Sequence, residues 1–275
     1  MPAIKETTHI SETDDAEHDT AADRDIEALK TELVQAASDL ENSPPQEVLR
    51  WAVERFRPSI VVACSFGGLQ TMAVIHMLSE MNLLDDVEVF FNDTGVLFPE
   101  THQTRLRAQE RYGFRAKRVE PTLAWDDQQR MNKGHLYERG GEGIDKCCDI
   151  RKVKPVKEYL AKKDAWITGM RRSHGKTREQ VPVVMWDALH GLAKVNPVAT
   201  MDDSTIEGYV KANAIPYNTL YDRGYKSIGC NTPICTRPVK EGEDPRAGRW
   251  AGMGKTECGL HLNESQVKSL DSSKL

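Results

Sequence analysis

The feature of this sequence that most restricts its fold is a regular alternation of short apolar runs with helical patterns. Residues 59–64 form an apolar run, the polar and glycine-rich turn 65–68 follows, and residues 71–78 then read as a helix. Short apolar runs bounded by turn residues are typical of buried strands. Because a strand, a glycine turn and a helix in this order direct backbone N–H groups toward an anion, we expect a phosphate site at the turn.

The alternation continues along the chain. We predict further strands at 87–91, 114–119, 165–169 and 194–198, and helices over 26–40, 45–56, 99–112, 153–160 and 202–214. Such alternation predicts an α/β fold with a mainly parallel sheet flanked by helices, and ligands at the carboxyl ends of the strands. The glycine-containing stretch 125–145 is expected to be a flexible loop.

Charge and composition divide the chain into three parts. Residues 1–25 hold eight acidic residues against Lys5 and Arg24, which predicts a disordered acidic tail. We expect 26–225 to form a nucleotide-binding α/β domain. Residues 226–275, which are poor in apolar side chains, are expected to be a C-terminal segment packed on that domain.

Several classes of protein are disfavoured by the same observations. The part after the tail is close to neutral, which argues against a nucleic-acid surface. No run approaches the roughly 18 apolar residues of a membrane span, and the first residues lack the apolar core of a secretory signal. We therefore expect a cytoplasmic protein without nucleic-acid or membrane partners, and the oligomeric state, including a homo-oligomer, stays open.

The six cysteines fall into two pairs and two single residues. The pairs are Cys147 with Cys148 and Cys230 with Cys235, and the single residues are Cys64 and Cys258. In a reducing compartment, clustered thiols indicate metal binding or catalysis more often than disulfides. Four thiolates suffice for an iron-sulfur cluster or a closed zinc site, which leaves Cys258 as a candidate nucleophile. Cys64 is expected to be a buried strand residue.

The adjacent cysteines also restrict the local backbone. Successive side chains in a helix interior point about 100° apart, so Cys147 and Cys148 share a site only where the helix is distorted. We expect a helix to begin at this pair.

Two turns are candidates for nucleotide contacts. Ser65, Phe66, Gly67 and Gly68 form a turn that is similar to the Ser-Gly-Gly-x-Asp-Ser signature of PP-loop ATP pyrophosphatases, although Gln70 replaces the acidic residue. This replacement disfavours Mg-dependent ATP cleavage but keeps a phosphate cradle. Asp93, Thr94 and Gly95 follow the second predicted strand, where Asp93 would accept a hydrogen bond from ribose or adenine. An ordinary turn without a ligand is the alternative at both places.

Five motifs in order resemble one known family. They are Lys-Cys-Cys-Asp-Ile-Arg-Lys at 146–152, Ile-Thr-Gly-Met-Arg-Arg at 167–172, Ser-Ile-Gly-Cys at 227–230 with Cys-Thr-Arg-Pro at 235–238, Arg-Ala-Gly-Arg-Trp at 246–250, and Glu-Cys-Gly-Leu-His at 257–261. Together they resemble the iron-sulfur type of assimilatory adenylylsulfate reductase, within the family that reduces adenylylsulfate and its 3'-phosphorylated form. The resemblance spans about 59–261.

The resemblance implies a fold, a cofactor and a reaction. The fold would be that of the adenine nucleotide α-hydrolase-like, PP-loop-related proteins, and the cofactor a [4Fe-4S] cluster. The reaction would be reduction of adenosine 5'-phosphosulfate to sulfite and AMP by thioredoxin or a glutaredoxin-like protein, in sulfate assimilation and cysteine biosynthesis.

The resemblance also implies roles for individual residues. Cys147, Cys148, Cys230 and Cys235 would hold the cluster, and Cys258 would form an S-sulfocysteine. The substrate's phosphate and sulfate groups would be held by Lys152, Arg171, Arg246 and Arg249, and His261 would contact the nucleotide or orient the tail. The family spaces its second cysteine pair as Cys-x-x-Cys, whereas four residues separate this pair here.

Other functions remain open from sequence. The same chemistry on 3'-phosphoadenylylsulfate, alone or with dual specificity, is the nearest alternative. A PP-loop tRNA-thiolating enzyme would need ATP activation, which Gln70 disfavours. A non-catalytic iron-sulfur or nucleotide-binding sensor would make Cys258 dispensable. A structural zinc site is also possible from the number of thiol ligands, and metal analysis would separate it from iron.

Overall fold

The computed structural model describes residues 21–253, 255 and 257–261. Of the predicted acidic tail, residues 1–20 lie outside the described residues, as do residues 262–275 of the predicted C-terminal segment. The first helix already begins at Ala21, ahead of the boundary expected at 25. The division into 26–225 and 226–275 stays a prediction.

The described chain contains eight α-helices and six strands. The helices are α1 (Ala21–Asp39), α2 (Pro45–Phe56), α3 (Leu69–Glu80), α4 (Pro99–Tyr112), α5 (Trp125–Met131), α6 (Gly140–Cys148), α7 (Lys154–Leu160) and α8 (Asp203–Ala212). The strands are β1 (Ile60–Ala63), β2 (Glu88–Asn92), β3 (Lys117–Val119), β4 (Ala165–Ile167), β5 (Val184–Asp187) and β6 (Leu192–Val195). Within these residues, no helix has both the length and the apolar character needed to cross a membrane.

The strands form one sheet in the order β3-β2-β1-β4-β6-β5. Val62 of β1 lies opposite Val89 of β2 and Ile167 of β4, and both pairings are parallel. The predicted mainly parallel sheet with flanking helices is confirmed. The chain runs from β1 outward to β2 and β3, then returns to place β4 on the other side of β1, and open α/β sheets bind ligands in the crevice at such a reversal.

Strand β5 was not predicted. It pairs in antiparallel fashion with β6, with Val184 opposite Val195, and the two strands are joined by a tight turn. The turn is stabilised by the Asp187 carboxylate, which accepts from the backbone N–H of Leu189 (3.2 Å), and Gly191 adopts a positive φ of 70°. The fifth strand was predicted at 194–198, and its observed span is earlier, at Leu192–Val195.

Both faces of the sheet are buried. Ile60 and Val62 belong to the larger apolar cluster, which includes α2, α3 and α8, whereas Val61 belongs to a smaller cluster with Trp166 and Leu160. Alternate side chains of a strand point to opposite faces, so β1 lies in the centre of a three-layer arrangement. Cys64, predicted to be a buried strand residue, follows β1 and is 1% exposed.

The prediction of a flexible loop over 125–145 is wrong. This stretch contains α5 and most of α6, with a short 3₁₀ turn at Leu136–Glu138 between them. Ile144 is fully buried, and a Cβ at Gly143 would collide with the backbone carbonyl of Leu136. A glycine that seemed to mark flexibility is therefore required for close packing.

The expected helix start at Cys147 and Cys148 is also wrong. Helix α6 ends at this pair and continues as a π-helical turn over Asp149–Val153 before α7 begins. The buried guanidinium of Arg151 ties this turn to the end of β2, since its Nε donates to the Thr94 carbonyl at 2.7 Å. A π-turn widens the helix and changes the direction of neighbouring side chains, so the distortion expected at the pair is present without a helix start.

From residue 226 onward, the described chain has no helix and no strand of the sheet. An antiparallel bridge joins Cys230 to Leu97, and the N–H of Asn231 donates to the Val96 carbonyl at 2.7 Å. These contacts bring the second cysteine pair to the loop that follows β2.

Candidate active site

A cavity of about 250 Å³ opens at the carboxyl ends of β1, β2 and β4. Its walls include Ala63 at the end of β1, Phe91 of β2, and Trp166 of β4. The C-terminal residues Cys258 and His261 form part of the opposite side. The cavity therefore lies in the crevice where the strand order reverses.

The glycine turn forms one wall of this cavity. A Cβ on Gly67 would lie 3.1 Å from Ile228, so the C-terminal segment packs directly on the turn. Gly68 is the residue before α3, and as a glycine it has no side chain to cap the helix. The first N–H groups of this 12-residue helix are therefore positioned to bind an anion.

The structure brings most of the predicted substrate residues to this cavity. Lining it are Ser65, Gly67, Gly68, Thr94, Lys152, Arg246, Arg249 and His261, together with the predicted nucleophile Cys258. They come from five separate segments of the chain, so the fold assembles a site that no single stretch of sequence contains.

Three other predicted residues, Phe66, Asp93 and Gly95, are not among the lining residues. Phe66 is 1% exposed and packs edge-on against Phe91. The Asp93 carboxylate accepts from the Gly95 N–H (3.0 Å) and from Arg118 Nε (2.8 Å). Asp93 and Gly95 line a separate, more open cavity of about 400 Å³. Asp93 thus stabilises its own turn instead of facing the cavity at the carboxyl ends of β1, β2 and β4.

Arg171 is likewise turned away from the cavity. Its side chain is 2% exposed, donates to the Met201 carbonyl (3.2 Å) and pairs with Asp203 at the start of α8. The guanidinium is therefore held behind the cavity wall.

Sequence reasoning missed two charged residues that line the cavity together with Arg246. Arg178 and Glu257 form a buried, two-pronged ion pair with both N–O distances at 2.8 Å. Glu257 also accepts from Arg246 at 3.2 Å. Burial, together with the charge of Arg178, lowers the pKa of Arg246 to about 10. Glu257 directly precedes Cys258 in one of the five sequence motifs. Its partner Arg178 lies 79 residues away in the sequence, so no local pattern could link the two.

The residues after Cys258 are held from the sheet side. His190 Nε2 donates to the Leu260 carbonyl at 3.3 Å, and the His261 ring stacks on Trp166 with a centroid distance of 5.3 Å. Burial, followed by the charge of Lys194, lowers the pKa of His261. With Glu257 bound on one side and Leu260 and His261 on the other, the half-buried Cys258 is held over the cavity.

The other four thiols of the motifs lie around a second, much smaller cavity. Cys147, Cys148, Cys230 and Cys235 line it together with Trp125, Tyr137 and Ile144. All four are free cysteines. Burial raises the pKa of Cys148 to about 12. At Cys230 burial is the largest single influence and raises the pKa, but Lys152, Thr94 and Arg249 together outweigh it, so the pKa of Cys230 is lowered.

Lys152 lies between the two cavities and contributes to the wall of each. Burial alone would lower the pKa of its ammonium group, but interaction with the nearby Cys230 and Cys148 side chains raises it. A charged lysine is therefore stable at this buried position.

Comparison with known proteins identifies the family. Residues 59–238 match the family of the phosphoadenosine phosphosulfate reductase domain. The chain belongs to this family. It is 39% identical to the adenosine 5'-phosphosulfate reductase of Geobacillus kaustophilus, over 85% of this chain and 96% of that protein. It is also 39% identical to the phosphoadenosine 5'-phosphosulfate reductase of Gloeobacter violaceus, over 84% and 94%.

A solved structure supports the fold assignment. The phosphoadenylyl-sulfate reductase of Candida auris, in a phosphate complex, superposes with a TM-score of 0.63 at 28% identity, over 72% of this chain and 94% of that one. The adenine nucleotide α-hydrolase-like fold class predicted from the motifs is confirmed.

Within this family member, the loop between Cys230 and Cys235 bends outward. Asn231 and Pro233 are exposed, while both cysteines and Thr232 are buried. The Thr232 hydroxyl accepts from the backbone N–H of Cys235 at 3.2 Å, which closes the loop. The two residues beyond the Cys-x-x-Cys spacing are thus accommodated at the surface.

The cysteine set fits an iron-sulfur cluster in the kind and number of its donors. Cluster iron is held by cysteine thiolates, commonly four, and four thiols free of disulfides surround one small apolar cavity here. Among the described residues, no group of three or more His, Cys, Asp or Glu side chains is arranged to hold a metal ion as it stands. The fit therefore rests on the chemistry of the donors and on their shared cavity.

Proposed function

We propose that this protein is an adenylylsulfate reductase. It would reduce adenosine 5'-phosphosulfate to sulfite and AMP, with electrons from thioredoxin or a glutaredoxin-like protein, in sulfate assimilation and cysteine biosynthesis. The observation that carries the proposal is the position of Cys258, in the wall of a cavity that is also lined by Lys152, Arg246 and Arg249. A relative named as adenosine 5'-phosphosulfate reductase supports the choice of substrate.

Substrate binding uses the two charged sides of the cavity. The glycine turn and the first N–H groups of α3 suit a phosphate group, because the N-terminus of a helix favours anions. Lys152, Arg246 and Arg249 supply charge-assisted hydrogen bonds for the remaining oxygens of the phosphosulfate. Neutralising these oxygens is necessary, since an anionic thiolate must approach a sulfur atom that they surround.

In the first step, the Cys258 thiolate attacks the sulfate sulfur. A bond forms between Sγ and this sulfur, the sulfur–oxygen bond to the phosphate breaks, and AMP leaves with the electron pair. The product is S-sulfocysteine at position 258. Covalent catalysis of this kind separates sulfur transfer from the later reduction.

In the second step, a thiolate of the reduced partner protein attacks Sγ of Cys258. Sulfite leaves with the electron pair, and a mixed disulfide joins the two proteins. The partner's second thiol then attacks the partner's first sulfur in that disulfide. This forms a disulfide within the partner and regenerates the Cys258 thiolate. The two electrons come from the partner's thiols.

Cys147, Cys148, Cys230 and Cys235 would hold the [4Fe-4S] cluster. When bound, the cluster would crosslink the end of α6 to the C-terminal segment and contribute to the electrostatic field around Lys152. Lys152 would then connect the cluster site with the substrate site, since it lines both cavities.

A second candidate substrate is 3'-phosphoadenylylsulfate. A relative of equal identity, from Gloeobacter violaceus, is named for this substrate. The reaction at Cys258 would be the same, and the difference would lie in recognition of the additional phosphate.

The proposal is tested by trapping the intermediate. Anaerobically purified protein, free of reductant, is incubated separately with each of the two substrates, and peptide mass spectrometry locates any added SO₃ group. We expect sulfonation of Cys258 by adenosine 5'-phosphosulfate and no adduct in Cys258→Ser. Sulfonation by both substrates would mean dual specificity, and sulfonation by the 3'-phosphorylated substrate alone would reassign the substrate.

Metal analysis and a binding measurement complete this experiment. Iron and acid-labile sulfide are expected in equal amounts, about four each per chain. If zinc is found instead, the four cysteines hold a structural zinc ion and not a cluster. If protein that contains iron and binds AMP forms no adduct with either substrate, the proposal of an enzyme is wrong and a nucleotide sensor takes its place.

A further inference from the structure

His174 lines the substrate cavity but belongs to none of the recognised motifs. It lies in a short 3₁₀ turn, Arg172–His174, which follows β4. Two side chains contact the same ring nitrogen: Gln70 Nε2 lies 2.9 Å from His174 Nε2, and Arg171 Nη2 lies 2.5 Å from it. Gln70 occupies the position that is acidic in the PP-loop signature. Its side-chain amide contacts His174 instead.

The hydrogen-bond partners determine the tautomer of His174. An arginine guanidinium only donates hydrogen bonds, so Nε2 must be the acceptor and the ring proton must be on Nδ1. The Gln70 amide also presents its nitrogen to Nε2, which is consistent with the same assignment. The Asp203 carboxylate is paired with Arg171.

The surroundings keep this histidine uncharged. Burial, followed by the charges of Arg171, Arg178 and Arg246, lowers the pKa of His174 to about 3. The geometry leads to the same conclusion without this shift, because a ring proton on Nε2 would point directly at the guanidinium of Arg171. His174 is thus a neutral side chain in a cavity wall that also contains the cations Arg178 and Arg246.

The proton on Nδ1 is available to a ligand. Among the described residues, Nδ1 has no hydrogen-bond partner, and it is not one of the buried polar atoms that lack a partner. The ring borders the cavity that would hold the phosphosulfate group. An oxyanion oxygen is the acceptor that such a donor requires.

We propose that His174 is a substrate-binding residue that donates its Nδ1–H to an oxygen of the substrate's phosphosulfate group. This inference rests on the proposed function. Arg171 and Gln70 are then positioning residues, which act by holding His174 in one tautomer and one orientation. A buried arginine that does not reach the cavity would still affect substrate binding through the histidine.

Three substitutions at this position test the proposal. An asparagine amide places an N–H group near the position of Nδ1, a glutamine amide reaches the position of Nε2, and alanine removes both. In His174→Ala we expect the KM for adenosine 5'-phosphosulfate to rise about tenfold or more, with kcat little changed, since a hydrogen bond to a charged group is lost in both ground state and transition state. His174→Asn should recover most of the affinity, and His174→Gln should not.

The pH dependence of KM distinguishes a neutral donor from a charged one. If His174 is neutral, the ratio of the KM of His174→Asn to that of the wild type should stay constant between pH 5.5 and 8. If the ring bound as a cation, the wild type would lose its advantage as pH rises through the ordinary range of histidine, and the proposal would be overturned. A wild-type KM in His174→Ala, or a better rescue by glutamine than by asparagine, would also overturn it.

The outcome is separable from that of the proposed function. The formation of S-sulfocysteine in wild-type protein tests the enzyme activity, whatever His174 does. If the wild type forms the adduct and the alanine variant does so with unchanged concentration dependence, only the role of His174 is wrong. Thermal unfolding of each variant shows whether it is folded, and the asparagine-glutamine contrast compares two side chains that differ by one methylene.

Discussion

The parallel sheet and the C-terminal segment are stabilised in different ways. The sheet, with its flanking helices, buries a continuous apolar core, in which side chains such as Ile60, Met72 and Ile75 have no exposed surface. The described residues of the segment, 226–253, 255 and 257–261, lack helices and strands of the sheet and are held by individual polar contacts such as Arg178 with Glu257. The stability of the fold therefore depends on one region, and the reactive geometry on the other.

Close approaches within the C-terminal segment make it compact. A Cβ on Gly229 would overlap the guanidinium of Arg249, and a Cβ on Gly248 would overlap the Arg237 carbonyl. These glycines permit the segment to fold tightly over the cysteine cluster, where Trp250 is buried. Because the segment contributes few residues to the large core, changes in it should alter the site with little effect on global unfolding.

The largest effect is expected from Cys258→Ser. It should reduce adenylylsulfate reduction by more than about a thousandfold, since a serine hydroxyl is not ionised at neutral pH and a covalent nucleophile is lost. The midpoint of thermal unfolding should stay close to that of the wild type. A strong loss of stability would show that the segment belongs to the cooperative core, and the contrast between the regions would fail.

Ile75→Ala should have the opposite pattern. Removing a fully buried side chain of α3 leaves a cavity and is expected to lower the free energy of unfolding by about 2–5 kcal/mol, measured in urea. The rate of Cys258 sulfonation per folded molecule should be nearly unchanged. The matched control is Val34→Ala in α1, where the side chain is 72% exposed and an effect within about 0.5 kcal/mol is expected.

Glu257→Gln tests the anchor of the segment. The ion pair with Arg178 is buried on both sides, and removing one charge of a buried pair leaves the other uncompensated. We expect sulfonation of Cys258 to slow by about tenfold or more and cleavage by a protease within the segment to become faster. Glu243→Gln is the control, since its ion pair with Arg237 is more exposed. Equal behaviour of the two variants would contradict an anchoring role.

The smallest expected effect is on the pH dependence of the free energy of unfolding, and it involves His174. The pKa of His174 is lowered from its ordinary value of 6.5 to about 3, mainly by burial. The unfolded chain therefore binds one more proton than the folded chain between these values, so this histidine makes stability fall as pH falls below about 6.5. His174→Asn, which does not titrate, should show a shallower loss of the free energy of unfolding between pH 6.5 and 4. Parallel curves for the two proteins would disprove the shift.

Much of the fold followed from local sequence patterns. The runs that became β1 and β2 and the helices α2 and α4 were predicted within a few residues, because their apolar spacing and bounding Gly and Pro residues act over short distances. The glycines of α6 were misinterpreted, since the need for a close approach to Leu136 depends on packing between two elements. Strand β5 was missed for a similar reason: a short edge strand is defined by its pairing partner.

For the candidate site, sequence patterns established which chemical groups are present and in which motifs they occur: four paired thiols, one further thiol at Cys258, and a glycine turn before a helix. Only the tertiary structure decided which groups share a cavity. It placed Arg171 behind the wall, brought Arg178 to Glu257, and made His174 a neutral donor. The physical reason is distance along the chain: backbone geometry is set by neighbouring residues, whereas an ion pair or a tautomer depends on side chains that only the folded chain brings together.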